Sequence, residues 1–149
     1  MTPAARHFTV AVFVVHLGRV LLHYHRKLDL WLPPGGHIEP NELPDEAALR
    51  EVEEETGVRC ELLGGTALSI EYPRQLIVPA GIQLEDIPPD HQHIDLVYFA
   101  RPLPGGDAIA PELAERDRVG WYDPSALSEL GVNDEVRAWV EKAITAVRD

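Results

Sequence analysis

Runs of apolar side chains predict strands at two positions that lie far apart in this chain. Residues 8–15 are rich in β-branched and aromatic side chains, which predicts a buried strand, and residues 20–24 continue as its hairpin partner. Residues 91–100 instead alternate between polar and apolar side chains, as in a strand with two different faces. Four residues share the more polar face of that strand: His91, His93, Asp95 and Val97.

Shorter segments complete the predicted order of elements. Residues 59–63, 67–72 and 118–122 are typical of short strands. Residues 75–92 contain several prolines and acidic residues and predict a long loop, of the kind that borders a substrate site. An amphipathic stripe predicts a C-terminal helix over residues 135–147, and we expect this stripe to pack on the core.

The helix predicted over Pro44–Thr56 has signals at both ends. Pro44 suits the first helical position because its missing N–H costs nothing there, and the two acidic residues that follow favour the positive end of the helix dipole. Gly57 supplies a left-handed stop. The residue before Pro44 is Leu43, which offers no capping side chain, so the sequence leaves open how the first turn is satisfied.

Three glutamates of this helix, Glu51, Glu54 and Glu55, are spaced so that their side chains share one face. Like charges this close repel one another by roughly 1 to 4 kcal/mol per pair, depending on the effective dielectric. Clustered carboxylates suit Mg²⁺ or Mn²⁺, and the turn at Gly35 and Gly36 lets backbone approach the same ion. The pattern therefore predicts a divalent-metal site, with a solvated acidic face as the alternative.

Composition limits the classes of function. A chain of 149 residues, 45% of them hydrophobic, suits one buried core and is too short for two ordinary domains, so we expect a single domain over residues 1–149. A formal net charge of −12 without a basic patch disfavours long nucleic acid. No segment has the pattern of a signal peptide or membrane span, and the single cysteine, Cys60, fits a reducing compartment, so a cytoplasmic location is expected.

The residues around the acidic helix also match a longer pattern. Its fixed positions are Gly36, Glu42, Arg50, Glu51, Val52, Glu54, Glu55, Gly57 and Val58. At this spacing they resemble the complete 23-residue signature of the Nudix hydrolases. The resemblance implies an α/β/α sandwich with a mixed β-sheet in a single domain. It also implies metal-dependent hydrolysis of the pyrophosphate linkage in a nucleoside diphosphate attached to another moiety.

The resemblance carries specific roles onto residues of this chain. It implies that Mg²⁺ or Mn²⁺ is bound by four groups: Glu51, Glu54, Glu55 and the carbonyl of Gly35. Arg50 is expected to orient one of these glutamates by ion pairing, and Glu42 is expected to brace the loop against the helix. Catalysis is therefore expected to depend on Arg50 as well as on the carboxylates.

The catalytic base is expected among the carboxylates near the metal, because the attacking water must lose a proton. Glu55 is one candidate for this role. Glu112 and Glu115 are two more, in the connection before the strand predicted at 118–122. Asp95 is a lesser candidate.

Substrate contacts are predicted at two places. Tyr72 and Arg74 combine an aromatic ring for base stacking with a cation for phosphate, although a core tyrosine beside a surface arginine is an alternative. His93 and Asp95 lie on the polar strand face, where contact with substrate and a solvated surface are both open interpretations. His23 and His25, on one side of the hairpin strand, are interpreted as surface residues.

The expected partner is a small nucleotide-diphosphate substrate, and the expected assembly is a monomer or homodimer. Hydrolysis of ADP-ribose or of a dinucleoside polyphosphate is the alternative activity. A non-catalytic nucleotide-binding Nudix module is the alternative class, and the three glutamates together with Arg50 argue against it. The acidic balance argues against an RNA-end substrate.

Overall fold

The computed structural model describes residues 5–148, and these form one mixed sheet with helices on both faces. The strands are β1 Ala5–His16, β2 Arg19–His25, β3 Leu30–Leu32, β4 Gly35–His37, β5 Cys60–Leu62, β6 Gly81–Ile87, β7 His91–Pro102 and β8 Gly120–Tyr122. The helices are α1 Pro44–Thr56, α2 Pro111–Asp117, α3 Leu127–Leu130 and α4 Asp134–Ala146. None of the helices within these residues is long and apolar enough to cross a bilayer.

The centre of the sheet is the parallel pair β1 and β7. Their register runs from Ala5 opposite His91 to Val14 opposite Ala100. β2 and β4 pair antiparallel with β1, and β5 and β6 pair antiparallel with β7, so the sheet is mixed. Both central strands have neighbours on each side. Because β1 and β7 pair with each other, residues that are far apart in the sequence meet in the middle of the fold.

Both faces of β1 are buried, which explains its nearly continuous apolar sequence. One face carries Val10, Val12 and Val14, which pack in a core cluster with Ala47, Ala48 and Val52 of α1. The opposite face carries Phe13 and Val15, which pack in a second cluster with Val136, Val140 and Ala143 of α4. The predicted α/β/α sandwich is therefore confirmed, with α1 and α4 on opposite sides of the sheet.

The predicted bounds of α1 are confirmed, and Gly57 ends the helix in the left-handed conformation, with φ of 83°. The first turn is satisfied without a capping side chain at Leu43. Instead the Glu46 carboxylate accepts the Leu43 N–H at 2.9 Å. The neighbouring Asp45 carboxylate accepts the Ile77 N–H at 3.0 Å, which ties the helix start to the loop after β5.

The structure corrects three expectations about local structure. Residues 75–92, predicted as a loop, contain β6, whose Ile82 and Leu84 point to solvent, so the segment lacks the buried apolar face of an ordinary strand. Residues 67–72, predicted as a strand, form bends, because no strand pairs with them among the described residues. Glu112 and Glu115, predicted in a loop, lie on α2.

Candidate functional site

The glutamates predicted to bind metal project from α1 beside β4. Glu51 and Glu55 are partly buried, and Glu54 is exposed. Gly35 donates its backbone N–H to Oε1 of Glu55 at 2.7 Å, so β4 fixes one carboxylate directly. The sequence assigned the carbonyl of Gly35 to the metal, and the structure shows in addition that its amide positions a predicted ligand.

Arg50 connects the helix to the loop that precedes it. Its guanidinium donates to both carboxylate oxygens of Glu42, from Nε at 2.7 Å and from Nη2 at 3.0 Å. Nη1 donates to Glu51 at 2.9 Å and to Glu54 at 3.1 Å. Nη2 also donates to the backbone carbonyl of His37 at 3.0 Å. One planar cation therefore sets the positions of two predicted metal ligands, of the loop and of β4.

The two glycines of β4 are required by close packing on both sides of the strand. A Cβ atom at Gly36 would lie 2.6 Å from the carboxylate carbon of Glu51. A Cβ atom at Gly35 would lie 2.1 Å from the backbone carbonyl oxygen of Val10. β4 consequently lies directly between α1 and β1, and any side chain at these positions would separate the carboxylates from the sheet.

Burial and crowding change the acidity of these carboxyl groups. Burial raises the pKa of Glu55 to about 7, with further upward contributions from the charges of Glu51, Asp117 and Glu54, while the Gly35 N–H opposes the shift. Burial also raises the pKa of Glu51, although its hydrogen bond from Arg50 counteracts it. The Arg50 hydrogen bonds hold the pKa of Glu42 below its usual value. The carboxylates of Glu42, Glu51, Glu54 and Glu55 therefore carry more negative charge than the single positive charge of Arg50 balances.

A cavity of about 520 Å³ lies beside the carboxylates, on the sheet face that α4 partly covers. Its lining includes Thr9, His23, His37, Glu55, His93 and Asp95. Thr9 donates to Oδ1 of Asp95 at 2.8 Å, and burial raises the pKa of Asp95 despite this hydrogen bond. Burial also lowers the pKa of His93, with smaller contributions from His37, His91 and His7. The cavity wall thus combines carboxylates, including Glu55 at its α1 end, with the imidazoles of His23, His25, His37 and His93.

The predicted site residues do not all come together. His93 and Asp95 line the cavity, whereas neither Tyr72 nor Arg74 is among the described residues that line it, and the Tyr72 side chain is 89% exposed. Glu115 is exposed on α2. His23, interpreted from sequence as a surface residue, is buried in the cavity wall, where its imidazole contacts the backbone of Pro33 just after β3.

Asp117, at the end of α2, is the acidic residue that sequence reasoning missed. Its charge raises the pKa of Glu55 and acts upward on the pKa of His23, so it faces the same region as both side chains. Nε of Arg116 donates a hydrogen bond to Oδ2 of Asp117 at 3.0 Å. The only sequence signal was its place at the end of the connection before β8, and that connection contains three other carboxylates closer to its start.

The chain matches a known family over nearly its whole length. A model of the NUDIX domain family matches residues 5–143. The crystal structure of a NUDIX-family hydrolase from Clostridium perfringens superposes with a TM-score of 0.82 at 34% identity, covering 97% of this chain and 99% of that chain. The chain therefore belongs to the Nudix family, and the fold that the resemblance implied is confirmed.

Two named relatives are similar over a large part of the chain. A Bacillus subtilis (strain 168) protein provisionally named 8-oxo-dGTP diphosphatase is 30% identical over 123 residues, which cover 80% of this chain and 70% of that protein. An RNA pyrophosphohydrolase of Erythrobacter litoralis (strain HTCC2594) is 32% identical over 109 residues, which cover 70% of this chain and 66% of that protein. The predicted enzyme class, a Nudix pyrophosphohydrolase acting on phosphoric anhydride bonds, is confirmed.

Proposed function

We propose that this protein hydrolyses the pyrophosphate linkage of a small nucleotide derivative, with Mg²⁺ or Mn²⁺ held by Glu51, Glu54, Glu55 and the Gly35 carbonyl. The observation that carries the proposal is the position of Glu55, a member of the carboxylate cluster, together with Gly35 in the lining of a 520 Å³ cavity. Cavities of this size are typical of sites for nucleotide-sized ligands. An anionic end suits an anionic substrate only when cations lie between them.

The donor set fits a hard divalent cation. The predicted ligands are carboxylate or carbonyl oxygens, which Mg²⁺ and Mn²⁺ prefer over nitrogen and sulfur. The upward pKa shift of Glu55 partly reflects uncompensated negative charge nearby, and a bound cation relieves such repulsion. When bound, the ion supplies charge neutralisation on the phosphates and acidifies a water molecule.

The side chains of the protein prepare the site in two ways. Arg50 holds Oε1 of Glu51 and Oε2 of Glu54 through the same Nη1 atom, and Gly35 holds Oε1 of Glu55. These hydrogen bonds reduce the rearrangement needed when substrate binds. A carboxylate must also accept the proton of the attacking water. Besides Glu55, the candidates predicted from sequence are Glu112, Glu115 and Asp95. The structure adds Asp117, whose charge acts on Glu55 and which we favour for that reason.

Substrate contacts are assigned to the cavity wall. The imidazole of His93 and the buried Asp95 present polar atoms to a bound nucleotide. Tyr72 and Arg74, exposed in the loop before β6, remain candidates for contact with a part of the substrate that extends beyond the cavity. The name of the Bacillus subtilis relative supports a nucleoside triphosphate as the substrate class, with ADP-ribose and dinucleoside polyphosphates as the alternatives. The net charge of −12 opposes a long nucleic acid.

The test is a product-release assay over a panel of substrates, each titrated with Mg²⁺ and Mn²⁺. The panel comprises the nucleoside triphosphates, 8-oxo-dGTP, ADP-ribose, a dinucleoside polyphosphate and a triphosphorylated oligonucleotide. We expect metal-dependent release from a nucleoside triphosphate, and a loss of at least ~100-fold in kcat for Glu54→Gln and Glu55→Gln. Glu53→Gln is the matched control, since Glu53 is an exposed glutamate of the same helix.

Two results would count against the proposal. Equal rates for Glu55→Gln and Glu53→Gln would remove the cluster from the reaction. Tight nucleotide binding without product in either metal would identify the protein as a nucleotide-binding module instead. Location in the cytoplasm and assembly as a monomer or homodimer remain predictions, which fractionation and light scattering check.

A further inference from the structure

Four histidines converge at the opposite end of β4 from the Glu55 contact. They are His7 on β1, His37 on β4, and His91 and His93 on β7. The ring centroids of His37 and His93 lie 5.0 Å apart, those of His7 and His37 lie 5.3 Å apart, and those of His91 and His93 lie 5.4 Å apart. The ring centroids of His7 and His91 lie 5.5 Å apart. The cluster is therefore closed, with every ring next to at least two others.

The register of the central strands creates this cluster. In the parallel pair of β1 and β7, Ala5 lies opposite His91 and His7 lies opposite His93. In the antiparallel pair of β1 and β4, Thr9 lies opposite His37. Residues at these alternating positions share one face of a sheet, so all four imidazoles lie on the same side. That side is the one on which His37 and His93 line the cavity.

The nitrogen atoms of three of these rings are close enough to share one ion. The nearest ligand atoms of His7, His91 and His93 all lie within 4.8 Å of one another. Tetrahedral coordination at the usual Zn–N distance needs nitrogen atoms ~3.3 Å apart. The side chains would therefore have to rotate to close around an ion, and His7, which is exposed, has room to do so. His37 lies outside this group of three, with its ring centroid 5.0 Å from that of His93.

The surroundings of the two ring nitrogens of His93 suit a metal ligand. Its Nε2 atom is buried and has no hydrogen-bond partner among the described residues. A buried imidazole nitrogen without a partner is unfavourable, because its interaction with water is lost and not replaced. On the other side of the ring, Nδ1 lies 3.8 Å from Oε1 of Glu85. Histidine ligands commonly have such a carboxylate behind the ring, which fixes its orientation.

We propose that His7, His91 and His93, with His37 as fourth ligand, bind a divalent transition-metal ion of the Zn²⁺ type. Imidazole nitrogen suits Zn²⁺, Cu²⁺ and Ni²⁺, whereas the carboxylates of α1 suit Mg²⁺ and Mn²⁺. The two sites therefore differ in chemical preference as well as in position. An ion in the histidine site adds positive charge to the cavity wall at His93, facing the space assigned to an anionic substrate.

The experiment measures Zn²⁺ uptake by the full chain without a polyhistidine tag, by equilibrium dialysis in millimolar Mg²⁺ that occupies the carboxylate site. We expect one tightly bound Zn²⁺ per chain in the wild type. His7→Gln, His91→Gln and His93→Gln each lose this equivalent, and His7 is exposed, so its replacement leaves folding intact. His16→Gln is the matched control, because His16 contacts Trp121 and Asp107, outside the cluster.

Co²⁺ provides a second readout, which does not depend on catalysis. Tetrahedral Co²⁺ with nitrogen ligands absorbs strongly in the visible range, and we expect this absorption in the wild type, in His16→Gln and in Glu55→Gln. The proposal is overturned if wild-type protein takes up no stoichiometric Zn²⁺. It is also overturned if uptake persists in a His91→Gln/His93→Gln double variant but disappears in Glu55→Gln, since the carboxylates would then be the ligands.

Discussion

Arg50 and Glu42 form a two-pronged ion pair, in which Nε and Nη2 of the arginine each donate to one oxygen of the carboxylate, at 2.7 and 3.0 Å. Eight residues separate them, so the pair joins the helix to the loop before it. The remaining nitrogen, Nη1, extends to Glu51 and Glu54. The loop and the predicted metal ligands are therefore positioned by the same side chain.

Arg50→Lys tests whether this geometry or the positive charge alone is needed. Lysine keeps the charge but cannot donate in parallel to Glu42 while also reaching Glu51. We expect kcat for hydrolysis to fall ~100-fold and the protein to lose about 2 kcal/mol of unfolding free energy, as hydrogen bonds to charged groups are lost. Denaturant titration measures the second quantity. Arg59→Lys, an exposed arginine beyond the helix, is the control, and equal behaviour of the two variants would contradict the prediction.

Substitutions at Gly35 and Gly36 should have different consequences. Gly36→Ala brings a methyl group against the end of the flexible Glu51 side chain, so we expect Glu51 to move and Mg²⁺-dependent turnover to fall while the fold persists. Gly35→Ala brings the methyl group against the Val10 carbonyl, and backbone of a central strand cannot move away cheaply. We expect it to cost at least ~2 kcal/mol of stability. Thermal unfolding together with kcat distinguishes the two effects, and similar melting temperatures for both variants would contradict the prediction.

A pair of matched substitutions on α2 distinguishes Asp117 from Glu115 as the catalytic base. If Asp117 accepts the proton of the attacking water, Asp117→Asn lowers kcat by ~100-fold or more, because a general base contributes about that factor. Glu115→Gln, two positions earlier and exposed, then has little effect. Single-turnover rates with saturating metal give this comparison directly. The opposite ranking would assign the role to Glu115, as the sequence first suggested.

Cys60 gives a prediction about alkaline pH. Burial raises the pKa of its thiol from 9.0 to about 12, so the folded state favours the neutral thiol more than the unfolded state does. The contribution of the neutral thiol to the free energy of unfolding is fully present below pH 9 and is lost as the pH rises toward 12. Cys60→Ala should therefore show a smaller fall in unfolding free energy between pH 9 and pH 11. Denaturant titrations of both proteins at these pH values check it, and parallel curves would contradict it.

The sequence predicted those parts of the site that are formed by residues close together in the chain. Pro44–Thr56 and Gly57 could be read from capping and turn preferences, and the shared face of Glu51, Glu54 and Glu55 follows from helical spacing alone. The roles of these residues came from the resemblance to a family. Within this stretch, the structure added contacts that spacing cannot show, such as the Gly35 amide at Glu55.

The parts that depend on distant pairing could not be predicted. β6 was missed because the prolines around it suggested a loop, which outweighed the alternation of Ile82 and Leu84 with polar residues. Its apolar side chains face solvent, so the strand is held by its pairing with β7 and not by a core. The histidine cluster was missed because His7 and His93 are brought together by a parallel register, which no local pattern specifies. Asp117 was missed for a similar reason, since the packing of α2 decides where it points.

The parallel pairing of β1 with β7 also bears on how the protein is made. During synthesis, the first strand leaves the ribosome long before its central partner, because residues 91–102 are added only after most of the chain has been translated. Until then β1 has one of its two edges open, and the histidine cluster lacks His91 and His93. Contacts of such long sequence separation form slowly. Newly made chains therefore pass through an interval in which the unpaired edge of β1 is open to chaperones.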